Sequence, residues 1–315
     1  MLNQLSPKIV VILPAFNESI TIGPTIESFW QAIPNAEIIV VNNNSTDDTE
    51  KNANVKISDL GVKGKVINEP RQGKGNAVRR AFSDIDADIY VMADADMTYP
   101  ADMVEMLIQP VIDGEADMVV GDRLSGGGYA RENKRRFHGF GNHLVKGLIN
   151  RLFGSRLKDI MSGYRVFSRK FVKNYPILVE GFQLETDVTL HALDKRFRIL
   201  EVPVPYKDRP EGSFSKLNTF KDGARVIFTI AQILRYYRPM AFFGALGLVF
   251  ALSGIVTSVP VLSDWVAHRY IFHVPLAVLS AALEIVAVMF LGVGLMLDSV
   301  THQHRMNAER RLLGD

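Results

Sequence analysis

No residue from Met240 to Leu262 carries a charge, and from Val274 to Leu297 the only charged residue is Glu284. Each run matches the roughly 20 apolar residues that carry a helix across a bilayer core. A buried helix of a soluble core rarely runs this far without a polar face. The pair predicts two transmembrane helices within residues 240–300 and confines water-soluble structure to what precedes them. Basic residues crowd both outer flanks, in "RYYRP" and "HQHRMNAERR", whereas the loop between the spans offsets Arg269 with Asp264. That asymmetry predicts a multi-pass protein of the cell (inner) membrane with both termini cytoplasmic, residues 301–315 forming a tail. Trp265, Tyr270 and Phe272 suit the opposite interface. An ionisable group at the depth of Glu284 is costly and usually faces protein. Antiparallel spans would bring it level with Ser253 and Gly254, and Gly247 with Ala251 forms a small-xxx-small pair. Glu284 is therefore expected to hydrogen-bond across the hairpin, or to a second copy in a homo-oligomer.

Ahead of the spans, apolar β-branched runs alternate with helical patterns. "KIVVILPAF", "AEIIVVNNN", "GKVINEP", "DIYVMAD" and "ADMVVGDR" read as strands. Between them "SITIGPTIESFWQAI", "STDDTEKNANVKISDL", "GKGNAVRRAFSDI" and "PADMVEMLIQPVID" read as helices. Strands that are apolar throughout, spaced by helices, mark βαβ units and a sheet buried on both faces. A net charge of +2 gives no reason to expect nucleic acid as a partner, and the absence of cysteine excludes disulfides and thiolate metal sites. The N-terminal apolar run is too short for a signal peptide and reads as the first strand.

Ligands of such sheets bind beyond the carboxyl ends of the strands. Here those ends read "PAFNE", "NNNSTD", "EPRQGKG" and "DADMTYP". The last places Asp94 and Asp96 one residue apart, where two carboxylates repel unless a cation neutralises them. Oxygen ligands suit Mg²⁺ or Mn²⁺. The plainer alternative is that Asp96 or Thr98 caps the helix opening at Pro100. Arg71 and Lys74 sit on a glycine-bearing turn that opens a helix, a combination suited to phosphate oxygens. Further on, Asp159, Arg165, Glu185 and Asp187 are charges beside apolar stretches. "DRPEGSFSK" combines Arg209, Gly212, Ser215 and Lys216 just before a connector whose Phe220, Ala224, Ile227, Ala231 and Leu234 recur at helical spacing. Such a helix can lie in the headgroup layer or pack on the soluble domain. A basic loop there could hold an anion arriving from the membrane.

In combination and order, "PAFNE", "DAD", "SGYR", "ETD" and "RPEGSFSK" resemble the family-2 inverting glycosyltransferases of GT-A fold. More narrowly, the chain resembles the polyprenyl-phosphate glycosyltransferases, the dolichyl-phosphate mannose synthases and bactoprenol glucosyltransferases. The resemblance covers essentially the whole chain. It implies an α/β, GT-A type, mostly parallel sheet flanked by helices in a cytoplasmic domain of residues 1–212. A juxtamembrane acceptor loop and amphipathic helix over residues 213–239 and two transmembrane helices would follow. It further implies that Pro14, Ala15, Asn17 and Glu18 line the base and ribose pocket with Asn43 beside them. Asp94 and Asp96 would bind the metal and, through it, the sugar-nucleotide diphosphate. Arg123, Arg165, Arg209 and Lys216 would face phosphates of donor or acceptor, Ser215 sharing their loop, and Asp159 and Asp187 would lie near the sugar. The second strand departs from the family, ending Asn42-Asn43-Asn44 where two aspartates are common, and Thr98 stands where some members have Gln.

The implied reaction is transfer of a hexose, glucose or mannose type, from a UDP-glucose- or GDP-mannose-like donor to a polyprenyl phosphate such as undecaprenyl phosphate. Two other readings stay open from sequence. A membrane polysaccharide synthase would need a general base and usually more spans. A non-catalytic partner of a lipid carrier would have no use for an intact metal pair.

Overall fold

The structure, a computed structural model, describes residues 7–125, 136–179, 184–205 and 219–314, with side chains for all of these but 136–142 and 219–227. The chain divides into two compact units, Met1–Thr219 and Phe220–Asp315.

The first unit is built on a seven-stranded sheet in the order β3-β2-β1-β4-β6-β5-β7. Strands β1 (Ile9–Ala15), β2 (Glu37–Asn42), β3 (Gly64–Asn68) and β4 (Ile89–Met92) are mutually parallel, as are β5 (Met118–Asp122) and β7 (Ile199–Pro203). Val10 to Leu13 of β1 and Tyr90 to Met92 of β4 are wholly buried, as strands covered on both faces must be. Helix α1 (Ile22–Ala32) buries Ile22, Thr25, Ile26 and Phe29, one stripe at helical spacing. Helix α2 (Thr49–Leu60) stops at Gly61, whose left-handed φ of 62° closes the last turn. Helix α3 (Lys74–Asp84) and, after a 3₁₀ turn at Ala101–Met103, α4 (Val104–Ile112) complete the alternation. These are the expected α/β elements and the expected GT-A-like, mostly parallel sheet.

One strand runs the other way. After α5 (Arg136–Phe153), β6 (Arg165–Ser168) enters between β4 and β5, antiparallel to both, pairing Met92 and Val120 with Arg165. Its first residue therefore lies at the edge where the parallel strands end. Ser168 caps the following helix α6 (Arg169–Asn174) by accepting from the Phe171 N–H, and α7 (Leu184–Asp194) leads into β7. The chain runs outward from β1 to β3 and then restarts at β4 on the other side of β1. That makes the β1/β4 junction the switch point at which ligands of open α/β sheets bind.

The second unit contains α8 (Thr219–Tyr237), α9 (Pro239–His268) and α10 (Val274–Gly314). Helices α9 and α10, of 30 and 41 residues, are long and apolar enough to span a membrane. At 1.5 Å per residue they measure about 45 and about 60 Å, more than a bilayer core of roughly 30 Å. The expected apolar runs are thus the N-terminal parts of longer helices, and α10 takes in nearly all of the expected tail. What α9 buries beyond Pro239 is Gly247 and Gly254, and α10 buries Ser280, Ala287 and Gly294. Small residues seven apart keep one seam facing the partner helix. A Cβ on Gly247 would stand 3.1 Å from the Ala287 carbonyl oxygen, and Ser280 Oγ donates to the Gly254 carbonyl at 2.9 Å. Gly247 thus pairs along a heptad with Gly254 rather than with Ala251. Glu284 lies against Gly254 as its depth suggested, but the Ser253 hydroxyl turns back to its own helix at Val249.

Candidate active site

At the end of β1, Pro14 and Ala15 still hold sheet register opposite Val41 and Asn42. Asn17 then takes a left-handed φ of 53°, which turns the chain over the β2–α2 loop. Its Oδ1 accepts from Thr46 N at 2.8 Å, and its own N–H donates to Ser45 Oγ at 3.0 Å. The Glu18 N–H donates to Thr49 Oγ1 at 2.8 Å, while its carboxylate accepts from Thr21 Oγ1 at 2.9 Å. The "PAFNE" segment is therefore stitched to its neighbour along the rim of the switch point.

Asn43, expected beside a nucleotide, is buried and braces a loop instead. Its Nδ2 donates to the Arg71 carbonyl at 2.7 Å, and its Oδ1 accepts from Gly73 N at 2.6 Å. Those bonds fix the turn from which α3 starts, and so the position of Lys74. Arg71 also differs from expectation: its guanidinium grips the buried Glu69 carboxylate at 2.8 and 2.9 Å. Arg71 holds Glu69 well below the usual carboxylate range, at about 2.

Asp94 and Lys74 meet at the end of β4. Lys74 Nζ donates to Asp94 Oδ1 and, at 2.5 Å, to Glu185 Oε1 at the start of α7. Burial opposes the lysine charge, yet the facing carboxylates of Asp94 and Glu185 hold it above the usual lysine range. Gly163 lies directly over this group, where a Cβ would stand 2.9 Å from both Asp94 Oδ2 and Lys74 Nζ. The glycine of "SGYR" is thus a requirement of close approach, fixed by its N–H donating to Tyr99 Oη at 2.8 Å. Asp96 is buried, its Oδ1 accepting from Thr98 Oγ1 at 2.6 Å and Thr98 N at 3.2 Å. That is a bond within its own turn, and Pro100, which caps the 3₁₀ turn, receives no side-chain cap. Helix capping therefore does not account for the pair.

Among the described residues no group of three acidic or histidine side chains is arranged to hold a metal ion. The donor set still fits a hard cation of the Mg²⁺ or Mn²⁺ kind. Such ions are typically held by one or two carboxylates, with substrate phosphates and water completing the shell. Asp94, with 29 % of its side chain exposed at the strand end, is the reachable member.

On the far side of β4, Arg123 and Asp159 form a bidentate pair at 2.7 and 2.9 Å, both largely buried. Burial opposes the Asp159 charge, but the Arg123 guanidinium outweighs it and holds the carboxyl below its usual range. The Asp159 and Lys158 N–H groups donate to Glu201 at 2.8 Å, which anchors this corner on β7. A phosphate-facing Arg123 and a sugar-facing Asp159 were expected as separate groups, and the structure makes them partners.

Two further expectations are corrected. Arg165 has no exposed surface and cannot face a phosphate. It donates to the carbonyls of Ser162 and Ile160 at 2.8 Å and of Glu185 at 3.1 Å, bracing the loop and helix that frame Asp94. Of the two acids in "ETD", the one that reaches Lys74 is Glu185. Asp187 is two residues on, about 200° around the helix, and accepts from Tyr175 Oη at 2.8 Å. Burial pushes its carboxyl up, against that hydrogen bond. Glu185 was legible only as a charge in an apolar stretch, because its partner is 111 residues away. Arg209, Ser215 and Lys216 lie outside the described residues, as do the side chains of Phe220, Ala224 and Ile227.

Comparison with known proteins bears on the same residues. The family described as Glycosyl transferase family 2 matches residues 10–175, from β1 through the strand ends to α6. The glycosyltransferase AglJ of Haloferax volcanii is 29 % identical over 96 % of this chain and 96 % of its own. A dolichyl-phosphate hexose transferase of the same organism is 27 % identical over 71 % of this chain and 93 % of its own. Among solved structures, the glucosyl-3-phosphoglycerate synthase of Mycobacterium tuberculosis, in complex with Mn²⁺, UDP-glucose and phosphoglyceric acid, is similar. It superposes with a TM-score of 0.54 at 26 % identity, covering 73 % of this chain and 79 % of that one.

Proposed function

The chain belongs to glycosyl transferase family 2, and on that premise we propose that it transfers one hexose from a nucleotide diphosphate sugar to a polyprenyl phosphate at the cytoplasmic face of the membrane. The observation that carries this reading is the meeting of Lys74, at a helix N-terminus, with Asp94 at the switch point of the sheet. A diphosphate is the ligand for which a basic helix start beside a metal-binding carboxylate is suited. A match to a dolichyl-phosphate hexose transferase, in a chain with two membrane-long helices, supports a lipid phosphate as acceptor.

In this reading residues 1–212 are the catalytic domain and residues 213–239 carry the acceptor loop and connector. Asp94 and Asp96 would hold the Mg²⁺ or Mn²⁺, which when bound supplies counter-charge for the departing nucleoside diphosphate. Lys74 adds a positive charge at the same phosphates. The "PAFNE" segment and the loop that Asn43 braces form the rim against which base and ribose pack. The Arg123–Asp159 pair orients the sugar side of the site, and Arg165 acts only by holding that frame. The acceptor is a phosphate monoester whose second pKa is near 6, so it is largely a dianion at neutral pH. No side chain has to remove a proton, and direct displacement inverts the anomeric centre. The Arg209, Ser215 and Lys216 loop receives the acceptor phosphate, whose tail stays in the bilayer with α9 and α10.

The test is transfer itself. Full-length protein in detergent, given Mn²⁺, labelled UDP-glucose or GDP-mannose and polyprenyl phosphate, should form a labelled lipid that is extractable into organic solvent. Label that appears only in water-soluble polymer, or in no product with any donor, would overturn the proposal.

A further inference from the structure

Of the three charges that meet at the end of β4, the deepest is Glu185. Its side chain is 8 % exposed, against 11 % for Lys74 and 29 % for Asp94. The backbone it springs from is fixed twice, its carbonyl accepting from Thr189 Oγ1 at 2.8 Å and from the fully buried Arg165 at 3.1 Å. Lys74 Nζ therefore stands between a rigid inner carboxylate and an outer one at the end of β4. Gly163 leaves its backbone against both Lys74 and Asp94, with no room for a side chain.

Charge arithmetic gives the inner carboxylate a purpose. Lysine carries its charge on a flexible stem with three rotatable donors. Held by Asp94 alone, it would be driven off by any cation that Asp94 took, since two positive charges would share one carboxylate. Paired with Glu185 as well, it keeps one carboxylate partner when Asp94 takes the ion, and can stay. We propose that Glu185 is a positioning residue, which keeps the Lys74 ammonium at the mouth of the site while Asp94 engages a divalent ion, so that Lys74 meets the donor's diphosphate. The inference rests on the donor reading above. It assigns the second acid of the cluster a role in donor binding and none in proton transfer, and it makes Arg165 a support for that acid.

The test measures binding, separately from turnover. Full-length protein in detergent with saturating Mn²⁺ is titrated calorimetrically with UDP and with GDP, and in parallel with uridine and guanosine, which carry no phosphates. The parent should bind one of the two diphosphates. Glu185→Gln, which keeps the shape and loses the charge, should weaken that diphosphate about tenfold, the scale of one charge-assisted hydrogen bond. Lys74→Met should weaken it at least as much, and the double variant no more than Lys74→Met alone. Affinity for the matching nucleoside should not change in any variant, which a general loss of structure could not reproduce. Glu185→Asp keeps the charge on a shorter stem and should fall between parent and Glu185→Gln, so the test survives a Gln variant that does not fold. Parent-like diphosphate binding by Glu185→Gln or Glu185→Asp would overturn the inference and leave the donor reading standing. So would a further loss when Glu185→Gln is added to Lys74→Met. A parent that binds neither diphosphate would overturn the donor reading and this inference with it.

Discussion

The two units bury opposite kinds of residue. In the first, apolar side chains such as Val10, Ile12 and Val91 have no exposure, and the charges buried among them are paired. Glu69 has Arg71, Asp159 has Arg123, and Arg165 has carbonyl oxygens. In the second, large apolar side chains face outward: Leu248 is 60 % exposed, Val256 70 % and Met296 73 %. Beyond Pro239, the positions that α9 and α10 bury are small residues, Gly247, Gly254, Ser280, Ala287 and Gly294. The difference is the one that water around the first unit and lipid around α9 and α10 would produce. Water drives apolar surface inward and charges a heavy cost for an unpaired buried ion. Lipid gives helices no such drive, so close contact between small residues must hold them together.

The largest break in this comparison should come at Asp94, the exposed carboxylate to which the proposed function gives the metal. Asp94→Asn should lower transfer about a thousandfold, the upper range for losing one preorganised electrostatic group. The fold should keep its melting temperature, because Lys74 retains Glu185. Initial rates alongside circular dichroism check both, and a folded variant at parental rate would remove Asp94 from the site. Excess chelator should reproduce the loss of rate.

Arg165→Met should do the reverse, unfolding before it inactivates. Removing the guanidinium takes a buried donor from the carbonyls of Ser162, Ile160 and Glu185, of which Glu185 keeps its bond from Thr189, and the cost should be about 3 kcal/mol. Denaturant titration of the full chain reads this on the first unit, while the hairpin's helical signal persists. Unchanged stability with lost activity would mean that Arg165 faces a ligand after all.

A third effect should be acid-dependent and confined to the first unit. His191 sits among Phe171, Tyr175 and Phe197, with ring centroids at 5.9, 5.0 and 5.9 Å. Its buried Nε2 has no partner among the described residues. Burial pulls its pKa down to about 4, the Lys195 charge adding to the effect. A lowered folded pKa means the neutral form is the stabilising one. The contribution is whole above pH 6.5 and lost as pH falls toward 4, amounting to about 2 kcal/mol at pH 5. His191→Phe should flatten the fall in melting temperature over that window. An unchanged slope would assign the acid sensitivity to the carboxylates.

The smallest effect should lie in the hairpin. Gly247→Val places a branched side chain against the Ala287 carbonyl and Leu291, and should cost about 1 kcal/mol through forced separation of α9 and α10. Resistance of the helices to unfolding in mixed detergent would report it, and transfer should change little. A variant as stable as the parent would show that the seam is not what holds the hairpin.

Much of this protein was legible in the residues taken one neighbourhood at a time. The two long apolar helices follow from runs of apolar residues, and the strands from β-branched runs between helical patterns. The position of Asp94 and Lys74 follows from the rule that sites lie after the strands. Each of these is set by local periodicity or by the place of a residue in its own element, which a linear reading carries. Tertiary structure decided what the remaining charges do. Arg165 looked like a phosphate ligand and became a brace, because β6 enters the sheet in reverse and drives its first residue into the interior. Asn43 and Arg71 became parts of a loop, held by partners that the sequence cannot rank. Glu185, rather than Asp187, reached Lys74 because a helix sends residues two apart to opposite sides, and only the docking of α7 fixes which side faces the strand end. The reason is common to all four: a polar or charged side chain in an amino-acid sequence has a kind but no partner. For a buried group the partner, 111 residues away for Glu185 but as few as three for Arg165, is chosen by the packing and determines its role.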